Sequence, residues 1–456
     1  MKRKNMEGVS PYTCIGALQQ GGTETPLSAL IMGLGNVLHK QYLKGAIFFL
    51  TEVAYLWFMI QYGFYNLKML ISLGSVEQEE IWNEELQVYQ YTQGDQSVLL
   101  LLYGIATVMI TLIMFWIWRG TLKSAYQAEC LSKEGRHVNN FMDDIRTLFD
   151  ENIHRLLMTP PMFFITALTI LPLIFMICMA FTNYSRIGNH LVLFDWVGLD
   201  NFAALFDSNS VLGSTFWSVL VWTLVWAVFA TFTNYFFGMI LAIVINRKDT
   251  HAKGFWRFCF VLSSAVPQFV SLLIMRTMLQ PEGAVNVLLR SLGLIAPDAS
   301  LPFFTDPTWA RVTVIVINIW VGVPYTLLQL TGVLKNIPGE LYEAATVDGA
   351  GPVKTFLHIT LPYMFYVTTP YLIAAFTGNV NNFNVIYLLS GGDPVTNLSS
   401  TAGDTDLLVT WLYKLTVDKQ YYNVGAVVGI LTFIILSIGA LITYRHSKSY
   451  KEEGGF

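Results

Sequence analysis

Charge is scarce in these 456 residues: 13% are Asp, Glu, Lys or Arg, 54% are hydrophobic, and the mean hydropathy is +0.50. A soluble fold of this size needs a charged surface, so the scarcity excludes one and marks an integral membrane protein. The net charge is only -4 and no basic stripe interleaves with aromatics, which leaves nothing to hold a nucleic acid. Cysteine is rare as well. Cys14, Cys130, Cys178 and Cys259 form no C-x-x-C pair, so free thiols are expected rather than a disulfide framework.

The motifs of catalysis are missing too. The seven histidines make no H-E-x-x-H or other ligand spacing, so no metal site is expected. No G-x-x-x-x-G-K-[ST] loop occurs, and Gly33-Leu34-Gly35 lacks the strand-to-helix context of a phosphate cradle; the chain is not expected to bind and hydrolyse ATP by itself. Glu79, Glu80, Glu84 and Glu85 sit in a short acidic loop that offers no cleft for paired-carboxylate chemistry. Lys2, Arg3 and Lys4 open the chain, but the first long apolar run starts only near Gly45, which argues against a cleaved signal peptide. The expectation is a non-catalytic chain without a cofactor of its own.

Long apolar runs are what the sequence has. With about 20 helical residues needed per crossing, we place about eight transmembrane helices near 45–66, 97–118, 162–182, 217–245, 256–279, 310–333, 363–389 and 424–444. Lys and Arg fall in alternate connections: Lys40 and Lys44 before the first span, and Arg119, Lys123, Lys133, Arg136, Arg146 and Arg155 between the second and third. Arg247, Lys248 and Lys253 follow the fourth, Lys335 and Lys354 the sixth, and Arg445, Lys448 and Lys451 the last. This bias predicts cytoplasmic N- and C-termini in a multi-pass protein. Phe141, Ile145, Leu148, Phe149, Ile153, Leu156 and Leu157 give one apolar helical face that Pro160-Pro161 would close. That stretch either lies along the inner membrane surface or packs on a partner subunit.

Ionisable groups inside the spans are few. Glu52 is expected to make a hydrogen bond near the interface rather than to carry protons. In the sixth span Asn318, Val321, Gly322 and Tyr325 recur at i, i+3, i+4 and i+7 and share a face; Ala375, Gly378, Asn379 and Asn382 do the same in the seventh. Amides at membrane depth need partners in the bundle interior or a wet cavity. Amides and hydroxyls beside an aromatic ring are what an uncharged sugar requires. The other reading is that the glycines and asparagines only let helices approach closely.

Between those two spans runs Glu340-Leu341-Tyr342-Glu343-Ala344-Ala345-Thr346-Val347-Asp348-Gly349-Ala350-Gly351-Pro352, followed by Phe356, His358, Ile359 and Leu361-Pro362. The spacing predicts two short helices: Pro338 precedes the first, Gly349 and Gly351 end it, and Pro352 opens the second. Glu-Ala-Ala, Asp-Gly-Ala and Ile-Thr-Leu-Pro resemble the EAA signature of ABC importer permeases. From about residue 160 to the C-terminus the chain resembles the MalF-type permeases of oligosaccharide importers.

The resemblance implies an all-α type I ABC importer permease of the bacterial cytoplasmic membrane. Its implied layout is a cytoplasmic segment plus two-helix extension over 1–120, an amphipathic cytoplasmic segment over 121–161, a six-helix core over 162–446 with a coupling loop at 338–362, and a tail at 447–456. It implies that Tyr342, Glu343, Ala344, Ala345, Asp348 and Gly349 couple to an ATPase. It implies further that Asn318, Val321, Gly322, Tyr325, Gly378, Asn379 and Asn382 line a sugar path. The implied partners are a second homologous, MalG-like permease, two ABC ATPase subunits that bind ATP and Mg, an extracytoplasmic sugar-binding protein and membrane lipid; the implied cargo is an oligosaccharide, with malto-oligosaccharides leading. Gly378 and Ala375 depart from the maltose type, where a Phe and a Ser stand, and the large external domain of that type has only about 183–216 in its place. Ser399 to Leu408 still resembles the last external loop, which contacts the binding protein. A carrier or channel that needs no ATPase is the alternative, and it predicts transport by the isolated chain.

Overall fold

The structure is a computed structural model that describes residues 13–446 except 78, 85 and 248. Lys2, Arg3, Lys4, Glu85, Lys248, Lys448, Lys451 and the tail at 447–456 lie outside the described residues. The chain divides into two compact units, Met1–Val197 and Gly198–Phe456. Among the described residues seven helices are long and apolar enough to cross a membrane, and one bent pair can supply an eighth crossing.

Unit 1 begins with α1 (Cys14–Gln20), capped by Thr13, whose Oγ1 accepts from the Gly16 N–H at 3.0 Å. The long helices α2 (Tyr42–Ser72) and α3 (Ser97–Lys133) follow. The acidic connection between them carries a small antiparallel hairpin, β1 (Glu80–Asn83) with β2 (Val88–Tyr91), in the register Glu80 to Tyr91. At 1.5 Å per residue α3 is about 55 Å long, well over the roughly 30 Å of hydrocarbon. Its surplus turns bury Leu122, Ala125, Tyr126 and Glu129, and the chain before α2 packs there. Trp118 Nε1 donates to the Ala29 carbonyl at 3.0 Å, Asn36 Nδ2 to Ser124 Oγ at 2.9 Å, and the Gly22 N–H to Glu129 at 2.6 Å. Glu52 accepts from the Met32 N–H at 2.8 Å.

The amphipathic stretch ends earlier than its prolines suggest. α4 (Phe141–Phe149) starts with a capping box of Asn140 and Asp143 and stops where Asp150 takes φ -114°, ψ -91°. α5 (Ile153–Met179) then runs through Pro160 and Pro161. Proline's fixed φ fits a helix, while the missing N–H groups remove the rungs to the Leu156 and Leu157 carbonyls and the rings crowd those carbonyls.

In unit 2, α6 (Val211–Asn246) is the central element and carries two cores. Trp222, Trp226 and Ala230 pack with Leu272, Val314, Val385 and Leu389; Tyr235, Met239, Ala242 and Ile245 pack with Leu327, Leu330, Ile337 and Met364. The expected single span at 256–279 is instead α7 (Lys253–Ala265) and α8 (Gln268–Met278), bent by 79°. Pro267 disfavours helical dihedrals at Val266, which is extended (ψ 125°), and here the helix breaks.

α9 (Pro307–Lys335) lies close along α6. A Cβ on Gly238 would stand 2.8 Å from the Thr326 methyl, so glycine permits that approach. α10 (Gly339–Val347) is the first of the two short helices expected there. The second is not separate: α11 (Pro352–Leu389) runs from it into the seventh span through a π turn at Phe356–Thr360. That wider turn falls just ahead of Pro362, which has no N–H to give to the turn before it. α11 is interrupted at Asn381 and Asn382, and α12 (Leu408–Tyr413) and α13 (Tyr422–His446) complete the unit.

Candidate functional site: an uncharged cavity in unit 2

Between the two cores of α6, at Ala230 to Asn234, the packing gives way to a cavity of about 530 Å³. Its lining comes from α6, the start of α8, α9 and the later half of α11. Asn318, Val321, Gly322, Tyr325, Gly378, Asn379 and Asn382 all line it, as does Ala375. The helical rhythm in α9 is kept. In α11 it holds only as far as Val380; Asn382 reaches the cavity as the cap of the Phe383–Leu389 segment, where its Oδ1 accepts from the Val385 N–H at 3.3 Å.

One wall is locked by hydrogen bonds. Trp226 Nε1 donates to the Asn379 carbonyl at 3.0 Å, Asn379 Nδ2 to Thr231 Oγ1 at 3.0 Å, and Asn382 Nδ2 to Asn379 Oδ1 at 3.4 Å. Nearby the Thr326 and Tyr371 hydroxyls share a bond of 3.2 Å. Each amide so held leaves further donor or acceptor capacity for a ligand. A Cβ on Gly378 would have no neighbour within 4 Å, so the space beside it is open. Among the described residues, none that lines it is Asp, Glu, Lys, Arg or His.

The sequence reading missed Thr231, Asn234, Gln268, Tyr371 and Asn384, which also line the cavity. Asn234 carried a signal, being an amide inside an apolar run. Gln268 carried none without the break at Pro267.

The six residues read as coupling residues sit together on and just after α10. Glu343 and Ala344 are exposed, Ala345 is buried, and Tyr342 is half-buried with its hydroxyl 3.0 Å from Thr360 Oγ1. Asp348 caps the helix and Gly349 takes φ 69°. The Gly349 N–H donates to Thr346 and the Ala350 N–H to Ala345, a paired closure that requires a left-handed residue at 349. Val347 is 88% exposed and Val353 72%, an apolar tip that the described residues leave uncovered.

The segment between α11 and α12 is tightly bound. Asp406 is fully buried and accepts from Lys414 Nζ at 2.6 Å, from the Gly403 N–H at 2.8 Å and from Thr410 Oγ1 at 2.9 Å. Burial pushes its carboxyl above the usual range while those three donors pull it back. Arg311 lies 5.0 Å over the Trp222 ring and donates to the Asp404 carbonyl at 3.0 Å.

With this geometry in hand, the chain can be compared with known proteins. The family described as binding-protein-dependent transport system inner membrane component matches residues 234–449. The galactooligosaccharides transport system permease protein GanP of Bacillus subtilis (strain 168) is 36% identical over 432 residues, 94% of this chain and 98% of that protein. The maltodextrin transport system permease protein MdxF of the same organism is 32% identical over 437 residues, 94% and 96% of the two chains. Among solved structures, a chain of a bacterial alginate ABC transporter in complex with alginate pentasaccharide-bound periplasmic protein aligns with a TM-score of 0.53 at 22% identity, over 67% of this chain and 96% of that one, a likeness of fold. The chain therefore belongs to the binding-protein-dependent transport system inner membrane component family, as a MalF-type permease with the type I ABC importer fold.

Proposed function

We propose that this chain conducts a neutral oligosaccharide as one permease subunit of an ATP-driven importer. The observation that carries the reading is the cavity: seven residues chosen from sequence converge on one space that holds amides, hydroxyls and aromatic rings but no charge. Such a lining suits sugar hydroxyls and C–H faces and offers no cation to the carboxylates of an acidic polysaccharide. Malto-oligosaccharides are the leading substrate, on the Asn318, Tyr325 and Asn379 pattern. Galacto-oligosaccharides are the second, favoured by the open space at Gly378 and by the relative named for them.

In this reading both termini are cytoplasmic, the membrane is the bacterial cytoplasmic membrane, and an extracytoplasmic binding protein delivers the sugar to this chain and a second homologous permease. Two ATPase subunits carry ATP and Mg, and this chain holds no cofactor. The exposed tip of α10 seats on one of them: Glu343 and Ala344 face the partner, while Ala345 and Tyr342 tie the helix to unit 2. ATP closure moves that tip and switches the cavity between its two openings.

The test is ATPase activity captured through a tag on this chain from its native membrane, with and without Glu343→Ala or Gly349→Pro and across a sugar panel. Co-purified activity that sugar and binding protein stimulate, and that the two changes uncouple, is the expected result. Uptake by liposomes holding this chain alone, with no ATPase captured, would replace the reading with a secondary carrier. Uptake of other oligosaccharides without competition from malto-oligosaccharides would remove the leading substrate.

A further inference from the structure

The two walls of the cavity differ in how their amides are used. Asn379 and Asn382 are tied to Thr231, to each other and to the Val385 N–H. On the α6 and α9 side, Asn234 Oδ1 and Asn318 Nδ2 are shielded from solvent and have no hydrogen-bond partner among the described residues, and Asn318 is only 4% exposed. An unpaired buried polar atom is costly, and a ligand that bonds to it recovers that cost. Turning these two amides towards a ligand would break no bond at the unpaired atoms.

Gly322 explains why Asn234 can be there. A Cβ on Gly322 would fall 2.2 Å from Asn234 Nδ2, so any other residue would displace the amide. Asn318 stands one turn before Gly322 on the same face of α9 and lines the same cavity. The unpaired atoms are complementary in kind, one acceptor and one donor. A sugar hydroxyl donates and accepts at once and can answer both.

We propose that Asn234, lodged against Gly322, is a further sugar-binding residue, and that it reads one hydroxyl of a neutral oligosaccharide together with Asn318. The proposal rests on the sugar reading of the cavity given above. It assigns part of the substrate selectivity to α6, and it makes Gly322 a seat for an amide in addition to a cavity residue.

The test uses the complete importer with its binding protein in proteoliposomes. The probe is radiolabelled maltotriose, or β-1,4-galactotriose if the wild type takes up that sugar, with the set of monodeoxy analogues of whichever is used. Wild type should discriminate against at least one analogue by about 10- to 100-fold. Asn234→Ala should erase the discrimination at that analogue and raise the half-saturating concentration of the parent sugar by a similar factor, with maximal uptake per assembled complex changed less. Because the binding protein is the same throughout, its own selectivity cancels in the ratio of variant to wild type. Gly322→Ala should give the same loss of selectivity, and the double variant should add little to either single change.

Unchanged discrimination and half-saturation in Asn234→Ala would overturn the proposal, as would a wild type indifferent to every deoxy analogue. If Asn234→Ala does not assemble, Gly322→Ala and Asn234→Thr carry the same comparison, and unchanged selectivity in both has the same meaning. Asn379→Leu separates the two levels of inference. Lost uptake there beside wild-type behaviour in Asn234→Ala removes this assignment alone, whereas silence at Asn379 removes the sugar reading of the cavity and this assignment with it.

Discussion

The two ends of unit 2 are closed by segments of opposite construction. In the first half of α6, Trp222 Nε1 donates to the Thr405 carbonyl at 3.2 Å, and the segment from Ser390 to Tyr413 is bonded to itself and to α6 and α9, with Ser390, Thr405, Asp406 and Thr410 all buried and bonded while Leu398 is exposed. At the other end, Ile245 shares a core with Ile337 and Tyr342, and the segment from Pro338 to Pro362 turns Glu343, Val347 and Val353 outwards. A segment whose polar atoms are spent internally adds stiffness. One that leaves an apolar and acidic tip uncovered offers a surface on which a partner would bury apolar area.

The contrast can be broken most severely at Lys414. Replacing it with Met strands the buried Asp406 carboxylate, which keeps only the Gly403 N–H and Thr410 hydroxyl. Leaving one member of a buried ion pair alone costs about 3–5 kcal/mol. Thermal unfolding of the detergent-purified importer should therefore shift down strongly for Lys414→Met, and a shift no larger than that of a surface lysine would mean the segment is not held in this way.

Smaller losses are expected at the other end. Gly349→Ala puts a Cβ on a left-handed residue with φ 69° and should cost about 1–2 kcal/mol. Tyr342→Phe removes only the bond to Thr360 and should cost about 0.5–1.5 kcal/mol. Both are read by the same melting experiment, and either one exceeding Lys414→Met would reverse the comparison.

How much of this could be read from sequence depends on whether one helix holds the pattern. Asn318, Val321, Gly322 and Tyr325 were legible because α9 is unbroken across them and a 3.6-residue period survives. Asn382 kept its place in the cavity for a different reason, since the helix ends before it and its side chain caps the next segment. Gln268 was illegible because its position depends on a 79° bend at Pro267, and a window of apolar residues reads straight through such a bend. The surplus of α3 went unread as well. Its last turns mix Lys123, Glu129 and Lys133 with a buried face, and only the packed chain before α2 shows why that mixture stays helical. The closure of α10 was legible at Gly349, because few residues other than glycine tolerate the dihedrals it needs there, whereas Gly351, expected to help end the helix, is extended and caps the start of α11.

The smallest effect on stability falls on the residue with the largest expected effect on transport. Glu343 is exposed on α10 and makes no ion pair among the described residues. Its removal should leave the melting temperature where it was, since surface substitutions away from caps, cores and buried pairs change little. If α10 seats on an ATPase, the same change removes a carboxylate from that contact, and sugar-stimulated ATPase should fall while ATPase subunits still co-purify. The two readouts separate the roles cleanly. A falling melting temperature with coupling intact would make Glu343 part of the fold, and would leave the exposed tip of Val347 and Val353 to account for any partner by itself.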